Sequence, residues 1–401
     1  MFSNKDLRKL IIPLVIEQLL AVTIGMADTV MVSSCGEAAV SGISLVDSIN
    51  FLLITLFSSL ATGGAVIASQ YIGRGDHKSA SLAAKQLFYA SLALSAVLGI
   101  IAVFFRKPVL NMVFGSIEAD VMAHAQIYFL LSAISYPFLA VYNAGAALFR
   151  SMGDSRTTML ISILMNTINI VGNAILIYGF QMAAAGAATA SLVSRAVGAI
   201  IITVLLLNPH RIIFYDKLHK PEIHLSMLKS ILQIGVPNGL ENSIFQIGKI
   251  LVASIVSGFG TISITANAVA GNLASLQVIP GMALGMAMIT VGGQCIGAKD
   301  YEAVKKYTKK LMLITYGVVW AMTLLMLLFS KQILSFYSLS EETTTMTMEV
   351  FIVHGICAVI VWPLAFALPN ALRAANDVRF TMIVSLLSMW IFRIGFGYLL
   401  A

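Results

Sequence analysis

Charge is scarce in this chain of 401 residues: only 11% are Asp, Glu, Lys or Arg, against about 25% in an average soluble domain. Set beside 59% apolar residues and a mean hydropathy of +0.91, that shortage excludes a disordered chain, a fibrous protein, a coiled coil and an ordinary soluble enzyme. Cysteine is scarce too. Cys35, Cys295 and Cys357 form no CxxC pair and no disulfide framework, and read as small apolar packing residues. Ser, His and Cys show no nucleophile elbow and no metal-ligand spacing; His124 and His354 stand alone. The chain therefore reads as a non-enzyme with no metal centre and no cofactor. A cleavable signal is absent as well: the first apolar run, behind Lys5, Arg8 and Lys9, is too long, contains Glu17 and Asp28, and precedes no A-x-A site.

An all-α integral membrane protein remains. A span takes about 20 apolar residues. Eleven are read, near 10–33, 47–70, 87–106, 122–148, 157–180, 185–207, 229–257, 267–293, 311–329, 347–370 and 381–401. Nineteen of the 25 Lys and Arg fall in one alternate set of loops, three (Arg106, Lys107, Lys331) in the other set, and three (Arg195, Lys249, Arg393) inside spans. The positive-inside rule then places the N-terminus in the cytoplasm of a cell (cytoplasmic or inner) membrane crossed many times. The net charge of +7 is a topology signal, and no nucleic-acid partner is implied.

The chain repeats itself. Pro13 and Glu17 recur as Pro237 and Glu241, and Gly36 as Gly260, each offset by 224. GlnTyrIleGlyArgGlyAsp at 70–76 recurs as GlnCysIleGlyAlaLysAsp at 294–300, and the motif at 148–159 recurs at 371–382 with an offset of 223. Such order and spacing mark a duplication. Each copy holds six spans, so both enter from the same side and the copies are parallel. The expected architecture is two pseudo-symmetric six-helix bundles, 1–224 and 225–401, flanking a cleft. The second is read as incomplete, its twelfth span missing.

Five stretches carry a resemblance over essentially the whole chain: 27–36 (AlaAspThrValMetValSerSerCysGly), 70–76, ArgSerMetGlyAspSerArg at 150–156, ProAsnGlyLeuGlu at 237–241, and ArgAlaAlaAsnAspValArg at 373–379. In these the chain resembles the multidrug and toxic compound extrusion (MATE) family. The resemblance implies a secondary antiporter that exports organic, often cationic compounds in exchange for H+ or Na+. It also implies that Asp28 in the first span and Glu241 in the seventh serve coupling or substrate binding. Some members carry an aspartate at the place of Asn173, and the sodium-coupled branch carries one in helix 10; both are absent here, so the coupling ion stays open.

The residues support candidates on their own account. A charge at mid-bilayer costs about 3 kcal/mol on insertion scales, so intramembrane acids face protein or water. Asp28 has Val252 as its repeat equivalent and is thus no demand of symmetry. It reads as a coupling group, or as one half of a fixed ion pair with Lys249. Glu17 and Glu241 read as two symmetric carboxylates open to a cation or a proton, or as braces of their own bundles. Asn166, Asn169 and Asn173 form one polar stripe, suited to a cation or a water, or to gluing helices together. Arg195 can meet an acid or a lipid phosphate. Asp154, Arg156, Asp377 and Arg379 fall in cytoplasmic loops and brace helix ends or gate closure.

The function that follows is export of a small organic, cationic or amphiphilic compound by a monomer in the lipid bilayer through alternating access. The rival is a lipid or lipid-linked oligosaccharide flippase of the same superfamily. It would need a cavity rich in Arg and Lys, and intramembrane acids here match the bases in number.

Overall fold

Hydrocarbon offers no partner for a backbone N–H or C=O, so long apolar runs must close their hydrogen bonds within themselves as helices. The structure, a computed structural model, describes residues 2–115, 118–216, 218, 220, 222–335, 337 and 339–400. Lys217 and Ala401, and the side chains of Ile24, Met26, Ala27, Thr29 and Leu400, lie outside that description. Every regular element among the described residues is a helix. In the first repeat these are α1 (Asn4–Ser33), α2 (Glu37–Gly73), α3 (His77–Phe114), α4 (Ala119–Ser151), α5 (Ser155–Asn173) and α6 (Ala183–Leu206). The second runs α7 (Leu225–Ser257), α8 (Thr261–Gly297), α9 (Tyr301–Leu328), α10 (Ser330–Ser335), α11 (Glu341–Trp362), α12 (Leu368–Ala374), α13 (Val378–Ser388) and α14 (Phe396–Leu400). Wider π-helical turns interrupt this pattern at Ala174–Gly179, Pro363–Ala367 and Met389–Gly395. Among the described residues, ten helical stretches are long and apolar enough to cross a membrane. They match the second to the eleventh expected spans, and α1 forms as one helix over the first.

The Gly-Asp motifs of the repeat are turns. After α2, Gly75 takes φ +76°. Its N–H reaches Ile72 O at 2.9 Å, and Asp76 N–H reaches Tyr71 O at 3.0 Å. This is the left-handed helix closure that glycine permits without a Cβ clash. Asp76 then caps α3 by accepting from Ser79 N at 3.0 Å, and bonding to Ser79 holds its carboxyl below the usual aspartate range. Gly153 and Asp154 do the same between α4 and α5. In the second repeat the left-handed residues are Lys299 (φ +58°) and Asn376 (φ +67°), and Asp300 caps α9.

Two compact units emerge, Ser3–Gly239 and Leu240–Ala401 with Met1–Phe2. The division falls inside α7 and not in the loop before it. The first turns of α7 belong to the first unit because small residues let them approach α2: a β-carbon at Gly63 would sit 2.5 Å from Ile231 O and 2.9 Å from Gly235 N. The connection before α7 is tied to the same unit. Gln86 donates to Glu222 O at 2.7 Å and accepts from His224 N at 3.0 Å. Tyr89 donates to Leu218 O at 2.7 Å, and Arg211 pairs with Asp154 at 3.1 Å.

Within the first unit, α4 packs on α2, α3 and α6, and α5 lies against α1 and α6. Its core holds Phe57, Phe129 and Tyr136, each at most 1% exposed. In the second unit α8 takes the central place, packed on α9, α11 and α12. Gly281 of α8 makes room for the Trp362 ring and Gly285 for Asn370.

Candidate functional site

The two symmetric glutamates are not free carboxylates. Glu17 is 7% exposed; its Oε1 meets Arg150 Nη1 at 3.3 Å, and its Oε2 accepts from Thr158 Oγ1 at 2.9 Å. Glu241 is 8% exposed; its Oε1 meets Arg373 Nη2 at 2.9 Å and accepts from Ser385 Oγ at 2.8 Å. The two pairs are equivalents: Arg150 and Arg373 share the offset of 223. The sequence reading counted both arginines among the loop bases. The structure puts each in the last turn of its helix, α4 or α12, where a cation favours the helix dipole and reaches a buried acid. Each unit thus carries its own brace. The copies differ in the hydroxyl that joins the pair: Thr158 engages the second oxygen of Glu17, whereas Ser385 shares Oε1 of Glu241 with Arg373 and leaves Oε2 buried with no hydrogen-bond partner among the described residues.

Asp28 stands in a different setting. It is half-buried, and its Oδ1 accepts from Asn173 Nδ2 at 2.6 Å. Asn173 also reaches Asn169 Oδ1 at 3.5 Å, and Asn169 donates to Ser191 Oγ at 3.0 Å. Both asparagines are buried. The stripe on α5 therefore ends at Asp28 through Asn173, while Asn166 donates to Ser162 Oγ at 3.3 Å. The helix widens to a π turn directly after Asn173, a distortion often found where function needs a re-aimed residue.

A second acid belongs to the same region, and the sequence reading passed over it. Asp47 accepts from Tyr128 Oη at 3.0 Å and Asn50 Nδ2 at 3.2 Å. Asn50 in turn accepts from Tyr136 Oη at 2.8 Å. Asp47 and Arg195 both lie within electrostatic range of Asp28, and Arg195 donates to Ser135 Oγ at 2.7 Å. Asp47 sat on the expected edge of the second span, but α2 begins ten residues earlier, at Glu37. The signal available was Gly36, doubled as Gly260: in both repeats the long helix starts at the next residue, Glu37 or Thr261.

Beyond the Glu241–Arg373 pair, the second unit carries bases within its spans. Lys249 Nζ and Arg393 Cζ both stand over the Phe245 ring, each 5.4 Å from its centroid. Phe366 meets Phe245 edge-on at 5.6 Å, and Trp362 stacks on Phe366 at 5.5 Å. His354 lies within electrostatic range of Arg393, and its Nε2 is buried with no hydrogen-bond partner. Among the described residues of this unit, neither Lys249 nor Arg393 is ion-paired with a carboxylate. A cation over an aromatic face gains about 0.5–2 kcal/mol, whereas placing it in a span costs about 2.5–3.5 kcal/mol. The ring alone does not balance two cations.

Comparison with known proteins follows this division. The MatE family model matches twice, at residues 13–175 and 237–399. The chain is 28% identical to an uncharacterized transporter, YisQ, of Bacillus subtilis, over 96% of this chain and 85% of that protein. It is 28% identical to a probable multidrug resistance protein NorM of Bacillus cereus, covering 98% and 87%. Among solved structures it resembles a MATE protein in a bent conformation, with TM-score 0.89, 20% identity, and coverage of 98% and 87%. It also resembles a MOP superfamily transporter from Pyrococcus furiosus described by a binding pocket of reverse polarity, with TM-score 0.87, 21% identity, and coverage of 98% and 87%.

Proposed function

Because the chain belongs to the MatE family, we propose that it is a secondary active antiporter that exports organic compounds across the cell membrane in exchange for H+ or Na+, with Asp28 as the coupling carboxylate. The observation that carries this reading is the partner of Asp28: a neutral amide, Asn173, at 2.6 Å. A carboxylate held by an amide can gain and lose a proton or a cation without breaking an ion pair, because the amide donates to the charged form and can accept from the neutral one. Relatives named as probable multidrug resistance proteins support export of drug-like compounds. Nineteen bases at one set of helix ends and loops against three at the other support a cytoplasmic N-terminus.

In this mechanism ionised Asp28, with Asp47 beside it, favours an organic cation taken from the cytoplasm or the inner leaflet. Proton or ion binding from outside neutralises the site, and the cation leaves. The ligand shifts the conformational equilibrium only through its differential affinity for the two states. One-for-one exchange of a monovalent cation for H+ or Na+ moves no net charge, so the driving force is the concentration ratio of the coupling ion, about 1.4 kcal/mol for each tenfold difference. Glu17 and Glu241 keep a supporting role: their arginine pairs hold each bundle rigid, and Oε2 of Glu241 leaves that site able to take a proton or cation. Asn169 orients Asn173. No step calls for an enzyme's chemistry or a cofactor, and the protein acts as a monomer.

Equilibrium binding tests this. Ethidium binding to the purified protein is titrated against pH and against sodium. The coupling ion weakens ethidium binding to the wild type, and Asp28→Asn removes that response. A response retained in full by Asp28→Asn rejects Asp28 as the coupling group.

A further inference from the structure

We propose that the second unit holds an anion site, formed by Lys249 and Arg393 over the Phe245 ring, that takes the acidic group of an aromatic or amphiphilic organic anion. The inference rests on the transporter reading and extends it: the compounds handled include anions or zwitterions, not cations alone.

Four observations converge. The first is depth. Lys249 stands eight residues before the end of α7, about 12 Å inward at helical rise. The second is charge. The two cations share one ring at 5.4 Å each, so each repels the other, and among the described residues of this unit no carboxylate pairs with either. Glu241 is already held by Arg373. Glu349, the acid of α11 nearest His354 in sequence, is exposed and turned about 140° around the helix from it.

The third is donor chemistry. Guanidinium presents a planar fork that matches a carboxylate, sulfonate or phosphate, and ammonium adds a point charge. Lys249 and Arg393 are exposed, so a ligand can reach them. The fourth is the floor. Phe245, Phe366 and Trp362 form a continuous aromatic run on which the apolar body of the anion rests. The π-helical turns at Pro363–Ala367 and Met389–Gly395 carry Phe366 and Arg393, so both walls of this site are built on distorted backbone. A free organic anion and the headgroup of an acidic lipid share the required chemistry.

The test is isothermal titration of 2-naphthoate into the full chain in phosphatidylcholine nanodiscs. Naphthoate binds saturably to the wild type, the matched naphthylmethyl ammonium ion does not compete for it, K249Q/R393Q weakens it at least tenfold, and K249R/R393K retains it. The conservative pair guards against a folding defect. Repeating the titration in discs containing phosphatidylglycerol identifies the source: affinity lowered in the wild type assigns the site to an acidic headgroup, and affinity unchanged assigns it to a free organic anion. Equal naphthoate binding by wild type and K249Q/R393Q, or no saturable binding at all, overturns the proposal. Asp28→Asn leaves naphthoate binding intact, so failure of the coupling reading leaves a separate trace from failure of the anion site.

Discussion

The two repeats agree on their braces and disagree on their intramembrane chemistry. Glu17 with Arg150 and Glu241 with Arg373 are the same ion pair made twice. Farther along the same helices the equivalence ends. By the offsets of 224 and 223 that align the motifs, and of 226 that aligns Tyr136-Pro137 with Trp362-Pro363, Asp28 corresponds to Val252, Asn173 to Phe396, Lys249 to Gly25, Arg393 to Ile170, and His354 to Tyr128. One repeat gathers acids and amides, the other bases and aromatic rings. What both copies keep braces each bundle; what one copy has and the other lacks is what we propose serves the solute. A fold requirement would have been duplicated with the rest.

The comparison can be broken most severely at a brace. Arg373→Met strands the carboxylate of Glu241 in a buried site, and loss of one partner of a buried pair costs about 3–5 kcal/mol. Thermal unfolding in detergent should fall accordingly, with much of the loss recovered when Glu241→Met is added. A recovery of nothing would mean that the pair does more than cancel charge. Next comes packing. Gly63 of the first repeat is Ala287 in the second, and Gly63→Ala drives a methyl group to 2.5 Å from Ile231 O. Overpacking of this kind costs about 1–3 kcal/mol, whereas Ala287→Gly should stay within about 1 kcal/mol. Equal melting shifts for the two would show that α2 and the start of α7 yield freely. The smallest effect is a gain. Lys299 holds the left-handed position that Gly75 fills in the first repeat. Lys299→Gly relieves about 1–2 kcal/mol of backbone strain against about 0.5–1 kcal/mol of added chain entropy, so melting should rise slightly. A fall would assign the lysine side chain a contact of its own.

Much of this architecture was legible without coordinates. Hydropathy finds spans because hydrocarbon admits little else, and the doubled motifs at 70–76 and 294–300 announce the duplication. The amide stripe on α5 reads directly from its spacing; one of its three members, Asn173, bonds Asp28, and a second, Asn169, stands behind it. Other parts were hidden. Arg150 and Arg373 look like any loop base, and their partners lie more than 130 residues away, a matter of tertiary packing. Asp47 was lost because hydropathy marks where apolar residues begin, not where the helix does: α2 is 37 residues long, far more than a bilayer needs. Tyr128 and His354 hold matching places in the two repeats, but only packing shows the first bonded to Asp47 and the second beside Arg393. The π turns leave no periodic mark in the sequence.

The central claim is that Asp28 converts an ion gradient into solute movement. The direct measurement is ethidium efflux from proteoliposomes under an imposed proton gradient and then an imposed sodium gradient, wild type beside Asp28→Asn. The account predicts that one gradient accelerates efflux by the wild type at least tenfold and that neither moves the variant above passive leak. Driven efflux at the wild-type rate in Asp28→Asn would contradict it.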